Sequence, residues 1–380
     1  MRKHFLDNIR WVTVLLVLLY HAVYFFNNKG VFGGIGGFVS DPKGQPQDVI
    51  MYILYPWFMM LLFLVAGISS RYALERSDFN YRQFFKSRTR KLLVPATIGL
   101  VVFQWMTGYF NTQIGGVYQG IPDMVHTMPL PTRIIVCIIA GIGPLWFVQD
   151  LWLFSVLLIL VRKAEKDRLY RRLESLFGSH RRLAVGIALL LGFFAVWGAA
   201  QICVPHPAPD DLSGLLNLYR PATYFVLFLL GYYVFSIESV QQRVQELVVP
   251  MLVLAAASGT VLIAQTWGEC NTDPLYLMNW RTNLYAYSAI LAILGGFRAW
   301  GNKATRFSSY MTRSSYGIYV VHYLVVTAIG YMLKVYTSLP PVADYLILLA
   351  AVLLLSPALY EVIRRIPFLR WCILGEKVKR

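Results

Sequence analysis

Charge is scarce in this chain. Only 14% of its 380 residues are Asp, Glu, Lys or Arg, against roughly 25% in a soluble globular domain. The shortage falls on the acids: 19 Asp and Glu stand beside 35 Lys and Arg, for a net charge of +16. So few charges cannot coat a water-soluble globule of this size, which excludes that class. Cysteine is also sparse. Cys137, Cys203, Cys270 and Cys372 show no CxxC spacing and no Cys/His cluster, so no metal centre is expected. Cys203 and Cys270 fall just beyond the outer ends of two expected helices, where a disulfide between them is one alternative and two thiols the other. A cleavable signal peptide is missing as well, because the first apolar segment carries an arginine and a histidine and lacks a small-residue cleavage site. No internal repeat, low-complexity tract or soluble accessory domain is evident, so residues 1–380 are expected to form a single transmembrane domain.

What the chain has in abundance is apolar sequence, 57% of it, arranged in long runs. About 20 apolar residues are needed to cross the hydrocarbon core of a bilayer. By that measure the chain reads as an all-α, polytopic membrane helix bundle of about ten transmembrane helices, at 5–27, 49–70, 92–110, 145–162, 182–202, 219–237, 249–267, 281–298, 314–335 and 343–365. The short run 134–143 is expected to be re-entrant or interfacial. With loops assigned alternately to two sides, 29 of the 35 basic residues share a side with the N-terminus. The positive-inside rule then makes both termini cytoplasmic, in a cell (plasma or inner) membrane. The same distribution accounts for the net charge without nucleic acid, through topology and anionic lipid headgroups. Two long outer loops, roughly 28–48 and 111–144, are rich in Gly, Pro and aromatics and suit either a substrate mouth or a plain connection.

The costliest residues in the first helix are Arg10 and His21, in LDNIRWVTVLLVLLYH. A central charge in a membrane helix costs roughly 2.5–3.5 kcal/mol on insertion scales, so such residues are usually functional. Eleven positions at about 100° each end about 20° past three turns, which places both residues on one face about 16 Å apart.

The stretch Leu6-Asp7, Arg10, His21 resembles the opening of the acyltransferase-3 family of integral membrane acyltransferases, whose first helix carries an Arg, ten residues and a His. Further similarities follow in order: LLFLVAGISS at 61–70, FFKSRTRKLLVPA at 84–96, PLWFVQDLW at 144–152 and SSYGIYVVH at 314–322. In one place the chain departs from the family pattern. Where the family often has Arg-x-x-Arg, this chain has Arg88 followed three later by Lys91, with Arg90 between, and lysine keeps the charge but loses bidentate phosphate geometry.

Transfer of an acyl group from a thioester to a hydroxyl needs a base, donors for the oxyanion and a clamp for the donor's phosphates. The resemblance implies acyl-CoA, acetyl-CoA by default, as the donor co-substrate. His21 is the candidate general base. Arg10, near the cytoplasmic entrance, is the candidate contact to phosphate or pantetheine, with snorkelling to lipid headgroups as the alternative. Asp7 either orients Arg10 or caps the helix. His322 lies inside the ninth helix, and Tyr316 and Tyr319 share its side at spacings of three, where they serve the oxyanion and substrate or simply pack. Asp150 and Glu361 are carboxylates within helices that could position a histidine. Arg88, Arg90 and Lys91 are candidate holders of the CoA nucleotide or, equally, topological charge.

The expected activity is that of a membrane O-acyltransferase moving a short acyl group from acyl-CoA to a hydroxyl of a cell-envelope carbohydrate or glycolipid. The LVAG and LLVP forms also resemble the glucan succinyl-transfer branch, which keeps succinyl open. A transporter or flippase for lipid-linked or small polar substrates is the first alternative, and a non-catalytic scaffold or sensor the second.

Overall fold

The computed structural model describes residues 3–25, 46–75, 80–98, 106, 109–110, 128–133, 145–178, 182–202 and 220–376. Among them every regular element is helical. The longer elements are α1 (His4–Phe25), α2 (Val49–Leu54), α3 (Phe58–Leu74), α4 (Tyr81–Arg88), α5 (Trp146–Glu165), α6 (Arg168–Gly178) and α7 (Arg182–Ala200). They continue with α8 (Pro221–Tyr233), α9 (Glu238–Glu246), α10 (Val248–Thr266), α11 (Pro274–Met278), α12 (Trp280–Trp300), α13 (Arg306–Tyr336), α14 (Pro341–Arg365) and α15 (Pro367–Leu374). Among the described residues six helices are long and apolar enough to cross a membrane, or seven if the bent pair α8–α9 counts as one. Nearly half of the expected third span, the 134–143 run, Cys203 and the greater part of both outer loops lie outside the described residues. Cys270 is a free thiol whose Sγ lies 3.2 Å from Thr272 Oγ1.

Three expected spans differ in instructive ways. The run at 49–70 is broken between α2 and α3 at Tyr55–Trp57, where Pro56 lacks the N–H a continuous helix needs. The span expected at 219–237 ends at Tyr233 and turns by 108° into α9. The sequence ESVQQRVQE is too polar to continue through lipid and instead buries one narrow stripe, Val240, Gln241 and Val244. The ninth span starts earlier than expected because Thr305 and Ser308 form a reciprocal capping box at the start of α13, which satisfies two otherwise orphaned N–H groups.

The site is positioned by two helices running side by side in the same direction. Asn8 Nδ2 donates to the carbonyls of Gly301 and Lys303, and Phe5 N–H donates to Asn302 Oδ1 at 3.1 Å. The start of α1 is thereby tied to the segment just before α13. Trp11 then meets Phe307, His21 meets His322, and Phe25 lies against Gly330, where a side chain would collide with the Phe25 ring. Partners that rise together in number mean parallel helices. His21 and His322 sit 17 and 16 residues past their helix starts, hence at matching depths of about 25 and 24 Å. A second close crossing fixes α3. Gly67 faces the carbonyl of Phe228 and Gly231 faces that of Leu64, so α3 and α8 approach backbone to backbone, as small residues permit in membrane bundles. By contrast α7, α10 and α14 present Leu183, Leu190, Leu252, Val253 and Leu354 outward. On a membrane protein that apolar face meets lipid.

Candidate active site

The two histidines face each other inside the bundle. Their ring centroids are 4.9 Å apart, and His322 Nε2 lies 3.3 Å from His21 Nδ1. Each ring is also held by its own helix. His322 Nδ1 is 2.5 Å from the Tyr319 carbonyl oxygen, and His21 Nδ1 is 2.8 Å from that of Val17. A carbonyl oxygen only accepts, so in the neutral rings both Nδ1 atoms carry the proton and donate. His322 Nε2 is then a lone pair turned toward the His21 Nδ1–H. His21 Nε2 is left as a second lone pair, pointing away from the contact, which is the arrangement a general base needs.

About 16 Å along the same face of α1, Arg10 gathers a second cluster. Its Nη1 lies 3.0 Å from Asp7 Oδ1 and its Nη2 donates to Ser69 Oγ. The Ser69 hydroxyl donates to the Val65 carbonyl at 2.7 Å, which leaves its oxygen lone pairs for the guanidinium. The neighbouring Ser70 accepts from Arg88 Nη2 at 3.2 Å. Consecutive serines at the end of α3 thus draw two arginines from different helices together. Burial, with the positive charge of Arg10 beside it, pushes the Arg88 guanidinium down to about 10. Two adjacent cations of this kind are stabilised by a shared anion, and guanidinium forks suit phosphate.

The other residues marked by the sequence lie in varied places. Asp7 is on Arg10, in an ion pair. The chain around Arg88 passes through a π-helical turn at Thr89–Leu93, a geometry that leaves backbone groups for outside partners. Thr89 Oγ1 accepts from Trp152 Nε1 at 3.0 Å, and the Lys91 carbonyl accepts from the Tyr316 hydroxyl at 2.5 Å. Arg90 turns the other way and donates to the Gly375 carbonyl at 3.2 Å, while the Lys91 side chain is exposed. Of the basic run, therefore, Arg88 joins Arg10, and Arg90 does not. Tyr319 lies against His322, with ring centroids 5.5 Å apart, and Asp150 is within electrostatic range of Tyr319. Glu361 is paired with Arg364 at 3.0 Å in α14. Ser69 and Ser70 were visible in the sequence only as part of a motif, with nothing to say which side chains they would receive. Among the described residues no three His, Cys, Asp or Glu side chains converge as metal ligands would.

A family model described as an acyltransferase domain matches residues 3–361. The chain belongs to the acyltransferase-3 family. The match spans every element that builds the two clusters, from Asp7 on α1 to His322 on α13. Nothing among the curated proteins or the solved structures matches the chain. An acyltransferase-3 chain with several long apolar helices is a multi-pass membrane acyltransferase.

Proposed function

We propose that this acyltransferase is an acyl-CoA-dependent O-acyltransferase that moves a short acyl group, acetyl by default and succinyl as a variant, to a hydroxyl of a cell-envelope carbohydrate or glycolipid. The observation that carries the reading is the His21–His322 contact, with both Nδ1 atoms committed to backbone carbonyls and the His21 Nε2 lone pair left over. It lies on the helix that also bears Arg10, about 16 Å from it.

In this scheme the bundle has ten spans, lies in the plasma or inner membrane and has both termini in the cytoplasm, a topology supported by the 29 basic residues on the N-terminal side. The CoA phosphates rest at Arg10 and Arg88, and the pantetheine arm carries the thioester along α1 toward His21. His21 Nε2 removes the proton from the acceptor hydroxyl as its oxygen attacks the thioester carbonyl. The imidazolium that forms is stabilised at Nδ1–H by the Val17 carbonyl and the lone pair of His322 Nε2. Collapse of the tetrahedral intermediate breaks the C–S bond, and His21 returns its proton to the departing CoA sulfur. The charge balance is unchanged at the end of the cycle, with one ester formed and one thiol released.

The transport reading expects broken helices in paired halves. The described residues hold one bent pair, and its second arm is the polar α9, which suits a helix lying along the membrane surface. The deciding experiment follows radiolabelled acetyl-CoA with purified protein in nanodiscs. Wild type is expected to consume the thioester by hydrolysis or transfer, and His21→Ala to lose that activity while still binding CoA. A wild type that neither binds nor consumes any short acyl-CoA would sink the enzyme reading, and a transporter would move its substrate with the thioester intact.

A further inference from the structure

Beside the histidine pair stands a wall of polar side chains that the transfer chemistry does not use. Tyr20, Asn271, Arg220 and Asp150 are each at most 4% exposed. Three of them leave a polar atom without a hydrogen-bond partner among the described residues, Asn271 Nδ2, Arg220 Nε and Asp150 Oδ2, and the Tyr20 hydroxyl has only Asn271 within hydrogen-bonding reach. They are neighbours in space. The Tyr20 hydroxyl lies beside Asn271 and within electrostatic range of Tyr224, and Tyr224 is hydrogen-bonded to Arg220 and within electrostatic range of Asp150. The ring closes on the histidines from both ends, since Tyr20 is 5.4 Å from His21 and Tyr319, within electrostatic range of Asp150, is 5.5 Å from His322. These residues come from five separate segments of the chain, so the convergence is a property of the fold.

A buried polar atom without a partner costs about 1–3 kcal/mol. Such atoms are rare enough in folded proteins that three in one wall point to a group that supplies what is missing. The chemistry of that group can be read from the atoms. Asn271 Nδ2 and Arg220 Nε donate, Asp150 Oδ2 accepts, and the Tyr20 hydroxyl does either. An acyl chain satisfies none of these atoms, an anion meets Asp150, and a cation meets Arg220. An uncharged polyol satisfies the set, because each hydroxyl both donates and accepts.

We propose that Tyr20, Asn271, Arg220 and Asp150 form the acceptor subsite, seating one neutral sugar ring so that a hydroxyl is presented to His21 Nε2. The proposal rests on the acyltransferase reading for the role of the bound sugar, and the binding of the sugar itself is tested independently of it. Protein in nanodiscs, free of glycosidic detergent, is titrated with radiolabelled methyl glycosides of glucose, galactose and N-acetylglucosamine and with maltose. Wild type is expected to bind at least one of the four. Tyr20→Phe and Asn271→Ala are expected to weaken that binding at least fivefold, and Glu246→Gln, at the far end of α9 and paired with Arg243, to bind as wild type does.

In the transfer assay the same two variants should raise the KM for the sugar at least fivefold more than they raise the KM for acetyl-CoA. If wild type binds none of the four sugars, or if the variants bind them unchanged, the subsite assignment is overturned. Equal changes in both KM values also overturn it, since a structural role moves both together. Sugar binding without any turnover of acyl-CoA defeats the enzyme reading and leaves the sugar site standing.

Discussion

Two polar regions of this bundle use the same residue types and differ in how completely their atoms are paired. Around Arg71 nearly everything is satisfied. Its Nε meets Glu75 at 2.7 Å, its Nη1 meets Asp167 at 2.9 Å and the Tyr232 hydroxyl at 3.2 Å, and its guanidinium carbon lies 3.3 Å from the centre of the Tyr170 ring. Arg162 closes the other side of Asp167 through two hydrogen bonds. Lys166 and Asp167 are both left-handed, at φ 53° and 57°, a conformation that costs an L-residue roughly 1–2 kcal/mol. Two arginines on one carboxylate hold that turn closed and dock α5 and α6 onto α3. In the wall beside the histidines, by contrast, Asp150 and Arg220 each keep an atom without a partner. The saturated network is scaffold and the unsaturated one is a site, because only the second has capacity left for a ligand.

The sharpest test of that division is the base itself. His21→Gln should lower transfer by about 10²- to 10⁴-fold, the range a general base contributes, with the melting temperature nearly unchanged. Steady-state rates with radiolabelled acetyl-CoA and a thermal melt on the same preparation give both readouts. A melt that falls as far as the rate would move His21 into the scaffold.

The converse variant is Arg71→Ala. Removing one partner from a buried ion pair costs about 3–5 kcal/mol, because the remaining charge is stranded. Arg162 stays on Asp167, so the lower end of that range is expected. The loss should be read in denaturant or thermal unfolding, with the KM for acetyl-CoA of the surviving folded fraction little altered. A stable Arg71→Ala protein with impaired kinetics would reverse the assignment of the two regions.

Between these extremes lies the arginine pair. Arg10→Ala and Arg88→Ala should each raise the KM for acetyl-CoA roughly tenfold, in line with about 1.5–3 kcal/mol for a hydrogen bond to a charged group. The kcat should hold. If both arginines grip one phosphate group, the double variant should fall short of the summed effects, since residues sharing a partner are not additive. Arg88→Lys should recover part of the affinity as a point charge without the fork. Fully additive losses would separate the two and remove the shared anion.

How much of this was legible in the sequence depends on the range of the interaction. Arg10 and His21 share a helix, so their face and separation follow from the helical repeat alone. The all-helical membrane class follows from long apolar runs and few charges. The meeting of His21 with His322 does not follow, because it depends on Asn8 gripping the carbonyls of Gly301 and Lys303 about three hundred residues away. The acceptor wall was hidden for the same reason. Asp150 alone of the four was marked, as a carboxylate within a helix, and nothing in the sequence singled out Tyr20, Asn271 or Arg220 as its neighbours. The breaks at Pro56 and before α9 were readable in retrospect from a proline and a polar run, which hydrophobicity over a whole span averages away.

The smallest effect probes a case between scaffold and site. Glu238 on α9 accepts from Arg298 and, at 2.7 Å, from Lys3 just ahead of α1. The Arg298 hydrogen bond, aided by Lys3, holds its carboxyl down at about 2, against an ordinary 4.5. Every one of its contacts is made, as around Arg71, yet the side chain is 64% exposed. Exposure decides the magnitude, because solvent and salt screen such a pair to under about 1 kcal/mol. A carboxyl whose pKa is depressed on folding stabilises the fold above its unfolded pKa and loses that contribution as pH falls through the folded value. Glu238→Gln should therefore be slightly less stable than wild type above pH 4.5, with the gap closing as pH falls toward 2. Raising salt to about 0.5 M at neutral pH should narrow the gap as well. A gap that keeps its full size under both conditions would mean that Glu238 acts through packing, and that full pairing at an exposed position stabilises as effectively as it does around Arg71.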